Sequence, residues 1–171
     1  MAEPTVCERL KETFPEAVRG IEEFRGETHV TVEKDRLRAV MAFLKENEGT
    51  LFDMLVDIAG VDLGNGSPRF EIVYLLHSMT YNNRLEVKIA VPEGAAVETM
   101  SDLWKAADWM EREVFDLFGI AFNRHPDLRR ILLPDDYDGH PLRKDYPLKG
   151  MDFDKPFPVC LEEEKGIQPD A

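Results

Sequence analysis

His125 and His140 are the residues with the best claim to chemistry. Histidine titrates near neutral pH, and with aspartates close in sequence (Asp127, Asp135, Asp136 and Asp138) it could bind zinc or iron or form an acid–base set. Both histidines precede a proline, however, at Pro126 and Pro141, and no i, i+4 histidine pair or cysteine knuckle gathers ligands around them. The pattern favours imidazoles hydrogen-bonded to backbone or carboxylates. Ser78 and Ser101 lack a nucleophile elbow, and Cys160 lies before an acidic run that would raise its thiol pKa. Cys7 and Cys160 are too few and too far apart for a disulfide framework or a four-thiolate iron–sulfur cluster. No glycine-rich phosphate loop is present. These residues point to no catalytic, cofactor or metal site in the chain.

The elements that would position such residues follow from periodicity. Val6, Leu10 and Phe14 predict a short amphipathic helix closed by Pro15, and the β-branched alternation of Glu27–Glu33 predicts a strand. Leu37, Val40, Met41 and Leu44 predict a second helix, with Asp35 as its cap and Gly49 as its terminator. Phe52–Asp62, Arg69–Ser78 and Asn83–Val91 read as three strands joined by short turns, hence an antiparallel meander. Glu98 to Phe118 reads as helix, in one piece or two, ended by Gly119. The expected fold is α+β: a mostly antiparallel sheet with helices packed on one face, followed by a Pro-rich extended segment. Residues 1–120 would form the domain, 121–150 an extended docking segment, and 151–171 an acidic tail.

Composition narrows the function. The 171 residues carry a formal charge of −13, which disfavours nucleic acid and anionic lipid surfaces. No stretch reaches the roughly 20 apolar residues of a membrane span, and the start lacks the pattern of an export signal, so the expectation is a soluble, unexported chain. Residues 123–149 hold six basic and five acidic residues among four prolines, a balance suited to ordered ion pairs.

On a helical wheel, Ala106, Met110, Val114 and Leu117 form an apolar arc with Glu113 inside it. A carboxylate there either stays half-exposed at the margin of the face or calls for a cation, in which case Arg124, Arg129, Arg130 or Arg143 is expected to fold back onto Glu113. Phe115 lies opposite that arc. It is expected either to anchor a protein interface or to be covered by the chain's own tail.

Three runs then carry a specific resemblance. Glu111-Arg112-Glu113-Val114-Phe115-Asp116-Leu117-Phe118-Gly119-Ile120 is followed by His125-Pro126-Asp127-Leu128-Arg129-Arg130-Ile131-Leu132-Leu133 and by Gly139-His140-Pro141-Leu142-Arg143-Lys144-Asp145-Tyr146-Pro147-Leu148. Together they resemble the signature of the C subunit family, also called the thirty-kilodalton subunit family, of complex I-type NADH:quinone oxidoreductases. The resemblance implies a peripheral-arm subunit on the cytoplasmic side of the bacterial inner membrane, reaching the membrane only through the complex. It implies no cofactor in this chain, while the assembly uses NADH, FMN, iron–sulfur clusters and quinone. It also implies docking beside the D subunit, the forty-nine-kilodalton type, and near the B and I subunits. The signature residues, including Arg129 and Arg130, become candidates for docking. Related subunits of membrane-bound hydrogenases, F420H2 dehydrogenases and ferredoxin-linked complexes share this pattern.

Overall fold

The computed structural model describes residues 5–64 and 66–150. A five-stranded sheet is built from β1 (Val18–Phe24), β2 (Glu27–Val32), β3 (Met54–Asp62), β4 (Phe70–Ser78) and β5 (Asn83–Val91), in the order β1-β2-β5-β4-β3. Neighbours are antiparallel except β2 and β5, which run parallel. The expected meander is β3-β4-β5. A separate two-stranded parallel pair joins β6 (Val97–Glu98) to β7 (Phe122–Asn123). The helices are α1 (Val6–Thr13), α2 (Leu37–Glu46) and α3 (Ala107–Phe118). The acidic tail expected over residues 151–171, with Cys160, lies outside the described residues.

Local signals explain most of these elements. Thr5 caps α1 in a reciprocal box with Glu8, whose carboxylate accepts the Thr5 backbone N–H at 2.7 Å. In α2 the i, i+3, i+4, i+7 set Leu37, Val40, Met41 and Leu44 is fully buried. Asp35 does not cap this helix: it lies in a single 3-10 turn (Lys34–Arg36) and pairs with Lys34 at the surface. Asn47, not Gly49, forms the C-cap of α2.

In β4 and β5 every second residue is buried, so one sheet face makes the core. That face supplies Phe70, Ile72, Tyr74, Leu76, Val87 and Ile89, and α2 and α3 lie over it with Leu10 and Met100. Each large side chain removed from water there is worth about 1.5–3 kcal/mol.

Two boundaries differ from the sequence reading. β1 has no clean alternation because its register shifts between Val18 and Gly20, and this irregularity hides it from a period-2 search. The last helix begins at Ala107, not Glu98: Val97 and Glu98 pair with Phe122 and Asn123 as a strand, which draws the chain away from helix before the turns at Met100–Trp104.

Candidate functional site

α3 is covered on two sides, and its buried charges follow from that. The arc Ala107, Glu111, Val114 and Phe118 faces the sheet, where the Phe118 ring lies over Gly60 of β3 so closely that a Cβ there would stand 2.7 Å from it. Arg112 and Asp116 face the other way and are covered by residues 128–140. Glu113, expected on the buried arc, is exposed and forms no ion pair among the described residues. An arginine does fold back from the extension as expected, but its partner is Asp116.

The Asp116 carboxylate is fully buried and accepts four hydrogen bonds. Oδ2 takes the successive backbone N–H groups of Ile131, Leu132 and Leu133 at 3.0, 2.8 and 2.9 Å, and Oδ1 takes Arg130 Nη1 at 2.7 Å. Burial alone would raise its pKa, but these donors hold it below the usual carboxylate range. Arg130 uses its other Nη to donate to the carbonyls of Tyr137 and Gly139. Arg112 stacks on Trp109 and donates to the carbonyls of Arg129 and Arg130. These bonds fix the backbone path of the extension, which among the described residues contains no further helix or strand beyond β7.

Farther along, a second set of contacts ties the extension to the end of the sheet. His140 lies 2.8 Å from the Asp116 carbonyl through Nδ1 and meets the half-buried Phe115 edge-on. Gly119 closes α3 in the left-handed conformation (φ 73°), and a Cβ there would collide with the His140 ring at 2.6 Å. Arg143 donates to the Phe118 carbonyl and lies over the Phe70 ring. The Lys144 N–H donates to Asp62 Oδ2, and Asp145 pairs with Arg69, which also pairs with Asp62. Burial would lift the Asp62 pKa, but Arg69 and the Lys144 and Gly64 N–H groups bring it to about 2. Tyr146 stacks on Tyr137 and packs against Gly139. Arg129 is exposed and pairs only with the neighbouring Asp127 among the described residues. Pro126 is exposed, and Pro141 half-buried.

Glu111 is a different kind of buried carboxylate. Its oxygens accept the Thr99 hydroxyl at 2.5 Å and the Met100 N–H at 2.6 Å, and among the described residues no arginine or lysine reaches it. Burial pushes its pKa up to about 7 against those two bonds, with the Asp108 and Asp102 charges adding to the rise. His125 Nε2 stands 3.9 Å away, but lies 3.0 Å from the Asp108 carbonyl, while Nδ1 accepts the Asp127 N–H. Both ring nitrogens are thus committed to backbone partners. The Tyr74 hydroxyl is also buried, with no hydrogen-bond partner among the described residues, and burial together with the Glu111 charge raises its pKa.

This geometry holds a segment in place. Among the described residues no three histidine, cysteine or carboxylate side chains are grouped to hold a metal. Glu111, Asp116 and Arg112 are the buried charges of α3. The wheel built on Ala106, Met110, Val114 and Leu117 points to Glu113 because it is turned by about one residue: Ala106 is exposed, and the arc facing the sheet runs through Ala107, Glu111, Val114 and Phe118.

Comparison with known proteins is consistent with this construction. Residues 30–152 match the family model described as respiratory-chain NADH dehydrogenase, 30 kDa subunit. The chain is 49% identical to the C subunit of NADH-quinone oxidoreductase from Geobacter metallireducens, over 83% of this chain and 88% of that protein. It is 46% identical to the protein of the same name from Roseiflexus sp., covering 84% and 83%. The chain belongs to this respiratory-chain subunit family. Its fold matches a solved trypsin-resistant fragment of Nqo5, at 37% identity and a TM-score of 0.59, over 70% of this chain and 99% of the fragment. It also matches a chain of an archaeal membrane-bound sulfane sulfur reductase, a respiratory membrane complex, at 26% identity and a TM-score of 0.72, over 84% of both chains. In this family member the runs that carry the signature are those that clamp residues 123–148 to α3 and to the end of the sheet.

Proposed function

We propose that this chain is a structural subunit of the peripheral arm of a proton-translocating NADH:quinone oxidoreductase, with no active site or cofactor of its own. It sits on the cytoplasmic side of the membrane beside the forty-nine-kilodalton-type D subunit, near the B and I subunits. Residues 121–150 are its docking segment, and they support electron transfer from NADH to quinone by fixing subunit geometry. The family and the identity to C-subunit proteins support the assembly. The observation that carries the docking role is the clamp at Asp116. It fixes the backbone at 131–133 while Leu132, and farther along Leu142 and Leu148, stay exposed, an arrangement that lowers the ordering entropy of binding.

The test is Leu132→Asp with Leu142→Asp in cells that depend on the complex. Loss of the chain from the purified complex and loss of NADH:quinone activity are expected, with an unchanged melting curve for the isolated chain. Normal assembly and full activity would remove the docking role. The likeness to the sulfane sulfur reductase chain favours a second reading, the equivalent subunit of a related membrane-bound complex such as a hydrogenase, F420H2 dehydrogenase or ferredoxin-linked enzyme. Co-purification separates the two: an NADH-binding module supports the first, a nickel hydrogenase large subunit the second.

A further inference from the structure

Opposite α1, α2 and α3, the sheet has a second face that no helix among the described residues covers. It is formed by the alternate residues of each strand: Met54, Ala59 and Val61 of β3 stand beside His77, Val73 and Glu71 of β4, and Leu75 of β4 stands beside Glu86 of β5. Met54, Val56, Val61 and the following Leu63 are 46, 44, 37 and 50% exposed, and with Leu75 they make an apolar stripe along one margin. A hollow of about 440 Å³ between Met54, Val56, Leu75 and Leu85 deepens it. Stripes of this kind on a sheet mark contact surfaces, because left open they promote aggregation.

The occupant is constrained by charge and by the shape of β3. On this face Lys88 pairs with Glu86 and lies in the field of Glu71 and Glu22, and Arg84 is 4.0 Å from Glu27, so Asp57, Glu71 and Glu22 leave an acidic excess around the stripe. A second copy would bring the same acidic face and another −13 charges against it. A β-bulge between Leu55 and Asp57 breaks the ladder of β3, which disfavours a strand added at its edge and leaves face-on packing.

We propose that this face is a second docking surface, occupied by a neighbouring subunit of the same complex through an apolar patch rimmed with lysine or arginine. The inference rests on the reading of the chain as a complex subunit and makes it a two-sided bridge, with the extension on one side and the sheet on the other.

Methionine oxidation by hydroxyl radicals reads this face directly. Met54 and Met79 are exposed in the isolated chain, while Met41 and Met100 are buried and serve as internal references. Met54 is expected to react on the order of tenfold more slowly in the purified complex, since interface cores exclude water. A zero-length carbodiimide cross-linker applied to that complex should join Asp57 or Glu71 to a lysine of another subunit. Val56→Asp should lower incorporation without changing the melting of the isolated chain. Equal Met54 oxidation in both states, cross-links only between copies of this chain, or normal incorporation of Val56→Asp would each overturn the proposal. A chain that enters the complex with Met54 open defeats this inference alone; one that never enters it defeats the proposed function as well.

Discussion

Glu111→Gln should make the isolated chain more stable at pH 8 and change it far less at pH 5. The native state holds the Glu111 proton up to about pH 7, whereas the unfolded chain releases it near the ordinary value of 4.5. A native pKa above the unfolded one means that the folded chain binds the proton more tightly. Stability is therefore undiminished below pH 4.5, falls as pH rises from 4.5 to 7, and stays reduced above 7. At about 1.4 kcal/mol for each pH unit, that gap amounts to about 3 kcal/mol, a large share of the roughly 5–15 kcal/mol typical of a domain. Glutamine keeps the shape and the bonds: its carbonyl accepts the Met100 N–H, and its amide donates to Thr99 Oγ1, whose proton turns to Ser101 Oγ, 2.9 Å away.

Urea unfolding of both proteins at pH 5, 6, 7 and 8 measures the effect. Asp62 and Asp116, whose native pKa values are lowered, contribute above the ordinary carboxylate range and lose that contribution as pH falls through it, so they act in a more acid window and cancel in the comparison. The expected difference is under about 1 kcal/mol at pH 5 and about 3 kcal/mol in favour of glutamine at pH 8, the latter roughly 6–12 °C in melting temperature. A difference between the two proteins that is constant from pH 5 to 8 would refute the claim that burial keeps Glu111 protonated.

The clamp and the packing of α3 on β3 yield three further expectations. Arg130→Ala, which strands the buried Asp116 carboxylate, should cost about 3–5 kcal/mol in the isolated chain, whereas Arg129→Ala, which removes only an exposed pair with Asp127, should change stability by less than about 1 kcal/mol; two urea curves compare them. Asp116→Asn should lower stability and speed amide hydrogen exchange at Ile131, Leu132 and Leu133 together, because one carboxylate oxygen holds all three N–H groups. Gly60→Ala should cost about 1–3 kcal/mol by driving a methyl into the Phe118 ring, and Phe118→Leu in the same chain should recover part of that loss in the melting temperature.

What is legible in the sequence is what repeats locally. The spacing of Leu37, Val40, Met41 and Leu44 predicts α2, and the alternation in 70–78 and 83–91 predicts β4 and β5, because one covered face leaves a single period. β1 escapes because its bulge at Val18–Gly20 breaks the period, and Glu98 reads as helix because its partner, Asn123, lies across the whole of α3. The site is half legible. The sequence points to buried charge in α3 answered by a downstream arginine, but to Glu113 where the structure has Asp116. The wheel takes Ala106, Met110 and Leu117 for covered positions that belong to Ala107, Glu111 and Phe118, and it leaves out a second covered face, created by a proline-rich segment whose backbone donors leave no trace in side-chain pattern. The density of arginine just after α3 is the available clue that its other face is covered too.

Glu111 and Asp116, five positions apart on α3 and equally removed from water, show what decides the charge of a buried carboxyl. Asp116 has four donors, one of them a guanidinium, and the extension that supplies them is the same stretch it holds in place, so ionisation and the path of residues 130–133 require one another. Glu111 has two donors and no cation among the described residues, and the imidazole nitrogen nearest to it is directed to the Asp108 carbonyl, so its charge is opposed by everything except those two bonds. Glu111 also lies deeper in the protein than Asp116, so desolvation opposes its charge more strongly. The rest of the difference lies in the segment after Gly119: where it passes over Asp116 it brings consecutive N–H groups and Arg130, and where it passes near Glu111 it brings His125, already committed to backbone partners.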